Sequence, residues 1–168
     1  MKILALETSA VTASVAVTED EILLAQSFQN SGLTHSATLM PMVADLLKNT
    51  GIAMDDIDVI AVAAGPGSFT GVRIGVAAAK GLAWPGDKRC APCSTLESMA
   101  WQCAHMEGEV CAVMDARRKQ VYNARFLAEG GRLTRLSEDR AIPGRAAGRG
   151  KKIRKNANTG WRRREPVL

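Results

Sequence analysis

The chain has 168 residues, of which 46% are hydrophobic and 23% charged, enough apolar material to bury the core of one to one-and-a-half domains. No apolar run reaches the roughly 18 residues of a membrane span, and the amino terminus MKILALETS lacks the long apolar stretch of a signal peptide. The expectation is a cytoplasmic protein that makes no membrane contact. Its net charge of +5 is unevenly placed: residues 1–142 hold 13 basic and 16 acidic residues (−3), residues 143–168 hold 9 basic and 1 acidic (+8). A composition break therefore falls at about Pro143.

Residues 2–9 are apolar with strand character, and residues 12–18 and 21–28 alternate as half-buried strands do. With short links between them, they predict an antiparallel meander. Leu39, Met42, Val43, Leu46 and Leu47 then fall on one helical face, with Thr34 or Ser36 as cap and Gly51 as stop. Pro41 marks the first turn of that helix or bends it. Residues 57–64 form a near-continuous apolar run, as a buried parallel strand does. A glycine turn at 65–71 leads into a helix over 70–84, which Pro85-Gly86 ends. A strand at 89–93 follows, then the capping box Ser94-Thr-Leu-Glu97 and a helix to about residue 106. Residues 109–115 and 120–128 read as strands, with a further pairing segment at 133–136. The order β-β-β-α-β-α-β-α-β-β predicts a mixed α/β sheet and the opening hairpin of a second, similar unit.

Four cysteines, Cys90, Cys93, Cys103 and Cys111, lack a second CxxC pair for a zinc ribbon and are expected to be buried, inert thiols. Residues 65–75, GPGSFTGVRIG, are the most specific stretch. Gly65 and Gly67 permit backbone forms closed to other residues, and Ser68 can cap the next helix. Such a turn offers free N–H groups to an anion, although on physics alone a plain strand-to-helix turn is the favoured reading. It matches neither the Walker pattern nor GxGxxG. Gly71, Gly75, Ala79 and Ala83 form a row of small residues, suited either to a partner helix or to the chain's own sheet. Val72, Val76 and Leu82 supply a second apolar side. His105 with Glu109 lacks the second histidine of a zinc helix, so no metal site is expected. Arg117, Arg118 and Lys119 lie in a charged turn that reads either as a solvated hairpin or as a phosphate or RNA contact.

Together, residues 3–9 (ILALETS), 65–75 (GPGSFTGVRIG) and 114–122 (MDARRKQVY) resemble the TsaB (YeaZ) group of the glycoprotease-like family, with Ser94-Thr-Leu-Glu97 and His35…Leu39-Met-Pro-Met42 fitting its intervening helices. The resemblance covers about residues 1–142. It implies an actin/Hsp70/sugar-kinase-like (ribonuclease H-like) lobe over 1–108, the start of a second, incomplete lobe over 109–142, and an aberrant tail over 143–168. It also implies a non-catalytic subunit that binds the catalytic paralogue TsaD as a heterodimer, works with the ATPase TsaE, and reaches tRNA through the complex. Alone, it would form a homodimer. The reaction is transfer of threonylcarbamoyl to the tRNA adenosine next to the anticodon.

On this reading Leu39, Met42, Val43, Leu46, Gly71, Gly75, Ala79 and Ala83 form the partner interface, and Gly75→Leu would abolish the complex without unfolding the monomer. Thr8, Ser9, Gly65, Gly67 and Ser68 lie next to a phosphate or nucleotide. No cofactor is expected to bind firmly; ATP or ADP would sit at the complex interface. TsaD holds its metal with an HxxxH pair, and no such pair follows the Gly-rich helix here. Sugar-kinase-like folds place an Asp near the phosphates where this chain has Glu7. An independent ATP-binding enzyme of the same fold, or a nucleic-acid-binding protein using the basic tail, are the alternative functions.

The tail is expected to be a frameshift product. Read one base later with permitted codons, residues 145–152 become a charged helix, and residues 158–165 become a strand followed by a glycine turn.

Overall fold

The computed structural model describes residues 1–147. Five strands, β1 (Lys2–Glu7), β2 (Ala13–Glu19), β3 (Ile22–Gln29), β4 (Val59–Gly65) and β5 (Arg89–Ser94), form one sheet in the order β3-β2-β1-β4-β5. The first three strands pair antiparallel, and β1-β4 and β4-β5 pair parallel. This is the mixed sheet expected of an actin/Hsp70/sugar-kinase-like lobe.

Helices α1 (His35–Thr50) and α2 (Phe69–Ala83) lie side by side on one face of that sheet. Alternation puts Leu4, Leu6, Val15, Val17, Ile60 and Val62 on this face, where they meet Leu39, Met42, Val43 and Leu46 of α1 and Ala79 and Ala83 of α2. Thr34 occupies the N-cap of α1 without a side-chain cap bond. Pro41 sits inside the helix, and Gly51 ends it in a left-handed conformation, its N–H reaching back to Leu47 and Lys48 carbonyls.

Helix α3 (Thr95–Trp101) is capped by Ser94, whose hydroxyl accepts the Glu97 N–H at 3.2 Å. The returning half of the expected capping box does not form, because the Glu97 carboxylate goes to Arg135 at 2.6 Å. The helix also stops earlier than expected. Past Trp101 the N–H groups of Cys103, Ala104 and Met106 bond carbonyls three residues back, so turns replace the α-helix until Gly108 enters the next strand at a φ of +124°.

A second sheet contains β6 (Gly108–Asp115), β7 (Gln120–Glu129) and β8 (Arg132–Arg135) in that order, with β9 (Arg140–Pro143) also pairing with β7. The short helix α4 (Gly144–Ala147) ends the described region. The composition break at Pro143 thus coincides with the end of β9, and the rest of the tail reading, residues 148–168, lies outside the described residues. Although α3 belongs to the first unit by sequence, it buries Leu96 and Ala100 against Ala112, Ala124 and Phe126 of the second sheet. That packing joins the two sheets around one helix.

The thiol expectation does not hold. Cys90, Cys93 and Cys111 are exposed and Cys103 is half-buried, and no disulfide joins them among the described residues. Cys90 and Cys93 lie on β5, an edge strand, which explains their access to solvent. No helix among the described residues is long and apolar enough to cross a membrane.

Candidate functional site: the cleft beside the glycine turn

Between the two sheets lies a cavity of about 590 Å³, lined by Ser9, Ala10 and Val11 after β1, His35 of α1, Gly67–Thr70 at the start of α2, and residues 114–117 with Tyr122 of the second sheet. Local chemistry builds it from both sides. Ser68 N–H donates to the Ser9 carbonyl at 2.6 Å, pinning the β4–α2 turn against the end of β1. Gly67 is required for that approach, since a β-carbon there would lie 2.5 Å from the Ser9 carbonyl oxygen. The Ser68 hydroxyl caps α2 by accepting the Gly71 N–H at 3.3 Å. His35 Nε2 lies 2.9 Å from the Ala10 carbonyl and fixes the same loop from α1.

The five residues expected beside a phosphate therefore divide. Ser9, Gly67 and Ser68 line the cleft. Thr8 is fully buried beneath it and donates its hydroxyl to the Gly71 carbonyl at 2.8 Å. Gly65, at a φ of +110°, supplies the bend that brings the turn back, without lining the cavity. The Ser9 hydroxyl is buried and has no hydrogen-bond partner. With the free N–H groups at the start of α2 and Arg117 across the cavity, it makes the cleft chemically suited to an anion.

Glu7 faces away from this cleft. Its carboxylate accepts the Ser9 N–H and lines a second cavity of about 390 Å³ on the other face of the first sheet, floored by Ala5, Ala16, Ala61 and Ala63. Thr95, whose hydroxyl is also buried and unpartnered, lines that cavity too.

The eight residues expected at a partner interface are elsewhere. Leu39, Met42, Val43, Leu46, Ala79 and Ala83 are buried in the chain's own core, as are Gly71 and Gly75 on the inner face of α2. The reading of these side chains as free surface is corrected by their packing. The small-residue row exists because α2 lies directly on β1: a β-carbon on Gly71 would meet the Thr8 carbonyl oxygen at 2.0 Å. Of the second apolar side, Val76 and Leu82 pack half-buried against the same core.

The surface left open is the outward side of the helix pair: Met40, Pro41, Ala44, Asp45 and Lys48 on α1, Arg73, Ala77, Lys80 and Gly81 on α2, and Trp84 just beyond it, 87% exposed. Periodicity read from the apolar positions misses this side, because apart from Met40, Pro41 and Trp84 its residues are small or charged. An exposed tryptophan closing an alanine- and glycine-rich helix is the signal that marks it.

Arg117, Arg118 and Lys119 form the exposed turn between β6 and β7. Among the described residues, no group of three or more His, Cys, Asp or Glu side chains converges to hold a metal. Glu109, which stood one helical turn from His105 in the sequence, lies instead on β6 and is engaged by the Arg125 guanidinium.

Comparison with known proteins places this geometry among relatives. The family model described as TsaD, tRNA N6-adenosine threonylcarbamoyltransferase, matches residues 26–166, and so runs past the composition break at Pro143. The tRNA threonylcarbamoyladenosine biosynthesis protein TsaB of Bacillus subtilis is 38% identical over 142 residues, covering 84% of this chain and 62% of the relative. That of Escherichia coli is 36% identical over 144 residues with the same coverage. The chain thus spans about three fifths of the length of the curated relatives it matches. Among solved structures, YeaZ from Pseudomonas aeruginosa superposes with a TM-score of 0.78 at 31% identity, covering 84% of this chain and 67% of the other.

Proposed function

The chain belongs to the TsaB (YeaZ) family of glycoprotease-like proteins, and from that premise we propose that it is a non-catalytic partner subunit in tRNA threonylcarbamoyladenosine formation. In this reading it binds a TsaD-type transferase as a heterodimer and supports transfer of threonylcarbamoyl to the adenosine next to the anticodon. TsaE is a further member of the assembly, and the chain pairs with itself when TsaD is absent.

The observation that carries the partner role is the outer surface of α1 and α2. Two helices held rigidly on one sheet present Met40, Ala44, Ala77, Gly81 and Trp84 together. Small residues at Ala44, Ala77 and Gly81 admit close approach of a second helix pair; Gly81 has nothing within 4 Å of where a β-carbon would stand. Trp84 and Met40 supply the large apolar contact area that protein interfaces concentrate at their centres.

The test is a reconstituted tRNA modification assay with TsaD, TsaE and threonylcarbamoyl adenylate, with and without the chain. Stimulation of modification that is lost with Ala77→Arg supports the reading; modification indifferent to the chain rejects it.

A second reading has its own observation. The cleft, with the α2 N-terminus, the unpartnered Ser9 hydroxyl and Arg117, suits the phosphates of ATP or ADP. Nucleotide would then bind at the cleft or at the interface with the partner. ATP turnover by the isolated chain would mark an independent enzyme; nucleotide binding without turnover fits a subunit.

A further inference from the structure

We propose that the turn carrying Arg117, Arg118 and Lys119, with Arg145 beside it, is a contact for the phosphate backbone of RNA, an inference that rests on the reading of the chain as a tRNA-modification subunit. All three turn residues stand at positive φ, 62°, 49° and 62°. Residues with a side chain rarely adopt that conformation singly, and a run of three is held only where the surroundings fix it.

The surroundings do fix it. Arg117 N–H donates to Asp115 Oδ1 at 2.9 Å, Ala116 N–H to the Gln120 carbonyl at 3.1 Å, and Gln120 N–H to the Arg117 carbonyl at 2.9 Å. Gly144 N–H then donates to the Lys119 carbonyl at 3.1 Å, which brings Arg145 next to the turn.

The charges are unspent as well as preorganised. Lys2 pairs with Glu19, Arg125 with Glu109, and Arg135 with both Glu97 and Asp139, while exposed cations such as Lys48, Arg73 and Lys80 have no ion pair among the described residues either; the turn differs in gathering several such charges in one place. Among the described residues, Arg117, Arg118, Lys119 and Arg145 have no acidic partner, and all four are exposed. They project from a body whose residues 1–142 carry a net −3. On that mildly acidic body the turn is a local concentration of positive charge, to which a polyanion is drawn. Guanidinium forks match phosphate oxygens in geometry as well as charge. Such contacts position a nucleic acid without reading its bases.

The experiment measures fluorescence anisotropy of a labelled tRNA transcript, with adenosine next to its anticodon, against the full chain across about 0.05–0.3 M salt. The triple variant Arg117→Gln/Arg118→Gln/Lys119→Gln should lower the slope of log K against log salt by about 2, from roughly 0.7–0.9 per lost phosphate contact, and weaken low-salt binding about tenfold. Arg118→Lys, which keeps the charge, should keep the slope. The comparator Arg162→Gln/Arg163→Gln/Arg164→Gln removes three charges from the basic tail. If the tail variant carries the whole loss while the turn variant keeps the wild-type slope, the proposal fails. Polyglutamate competing as well as unlabelled transcript would equally reject it, marking an acidic protein as the partner instead. Should the triple variant melt early, Arg118→Gln alone gives the reading, with a slope decrease of about 0.7–0.9 expected and no change contradicting. Modification is scored separately. RNA affinity that depends on the turn without stimulation of modification sinks the subunit reading alone; the reverse sinks this proposal alone.

Discussion

Gly75 lies so close to Thr8 that a β-carbon on it would stand 2.4 Å from Thr8 Oγ1, and that same hydroxyl donates to the Gly71 carbonyl at 2.8 Å. The contact locks α2 onto β1 and sets the height of the cleft floor. Gly75→Ala should therefore destabilise the chain by about 1–3 kcal/mol, the usual range for overpacking. Gly71→Ala should cost more, because the obstructing atom is the Thr8 backbone oxygen at 2.0 Å, which cannot rotate away. Gly75→Leu should unfold the protein rather than merely block a partner. Urea denaturation of the three variants orders them; equal midpoints for Gly71→Ala and wild type would show that α2 is not seated as described.

The outward side of the helices predicts the opposite pattern. Trp84 is 87% exposed, so Trp84→Ser should change stability by no more than about 0.5 kcal/mol. In a complex the same truncation should weaken binding by about 2 kcal/mol or more, as loss of a central aromatic anchor does. Paired thermal melts and binding isotherms separate the two effects. A Trp84→Ser chain with a markedly lower melting temperature would mean that this side chain serves the monomer.

Much of this architecture is legible in the sequence because its signals are local. The meander shows in period-2 alternation, β4 in its apolar run, and α1 in the spacing of Leu39, Met42, Val43 and Leu46. Direction is less legible. The row Gly71, Gly75, Ala79, Ala83 marks a close approach, but spacing cannot tell an approach to β1 from one to another protein; only the position of Thr8 decides it. Within the site, Gly67 and Ser68 follow from the glycine turn, and Ser9 only from the resemblance carried by residues 3–9. The part played by His35 does not, since its bond to the Ala10 carbonyl spans 25 positions. The end of α3 at Trp101 is likewise not legible, since no glycine or proline stands there and turns with bonds three residues back take over.

Acid should loosen the second sheet through one pair. The Arg125 guanidinium, hydrogen-bonded to Glu109 across β6 and β7, holds the Glu109 carboxyl below its ordinary range. A carboxyl whose folded pKa is depressed contributes stability that is full above its unfolded pKa, about 4.3 for Glu, and that is lost as pH falls through the lower folded value. Wild-type stability should thus drop below about pH 4.3 more steeply than that of Glu109→Gln. Denaturant midpoints at pH 3 to 7 check this; parallel pH profiles for the two proteins would remove Glu109 from the account.

Arg135 ties helix α3 to the second sheet. Its guanidinium reaches Glu97 of α3 at 2.6 Å and Asp139 at 2.7 Å and covers the Phe126 ring, while the Ser94 hydroxyl that caps α3 also donates to Asp139 at 2.6 Å. Arg135→Met keeps the aliphatic bulk and removes the ion pairs. Because these groups are partly exposed, the expected loss is about 1 kcal/mol. Hydrogen exchange should speed up in α3 and β8 together. Faster exchange confined to β8 would show that the cluster does not tie α3 to the second sheet.

The central claim is that the outer side of α1 and α2 seats a TsaD-type partner. Its most direct test is the mass of the complex in solution, by light scattering on mixtures of the chain with TsaD. The account predicts one chain per TsaD, abolished by Ala77→Arg and unaffected by the tail variant Arg162→Gln/Arg163→Gln/Arg164→Gln, with the Ala77→Arg chain as stable as wild type. A complex of the same mass and affinity with Ala77→Arg, or no complex with the wild-type chain, would contradict it.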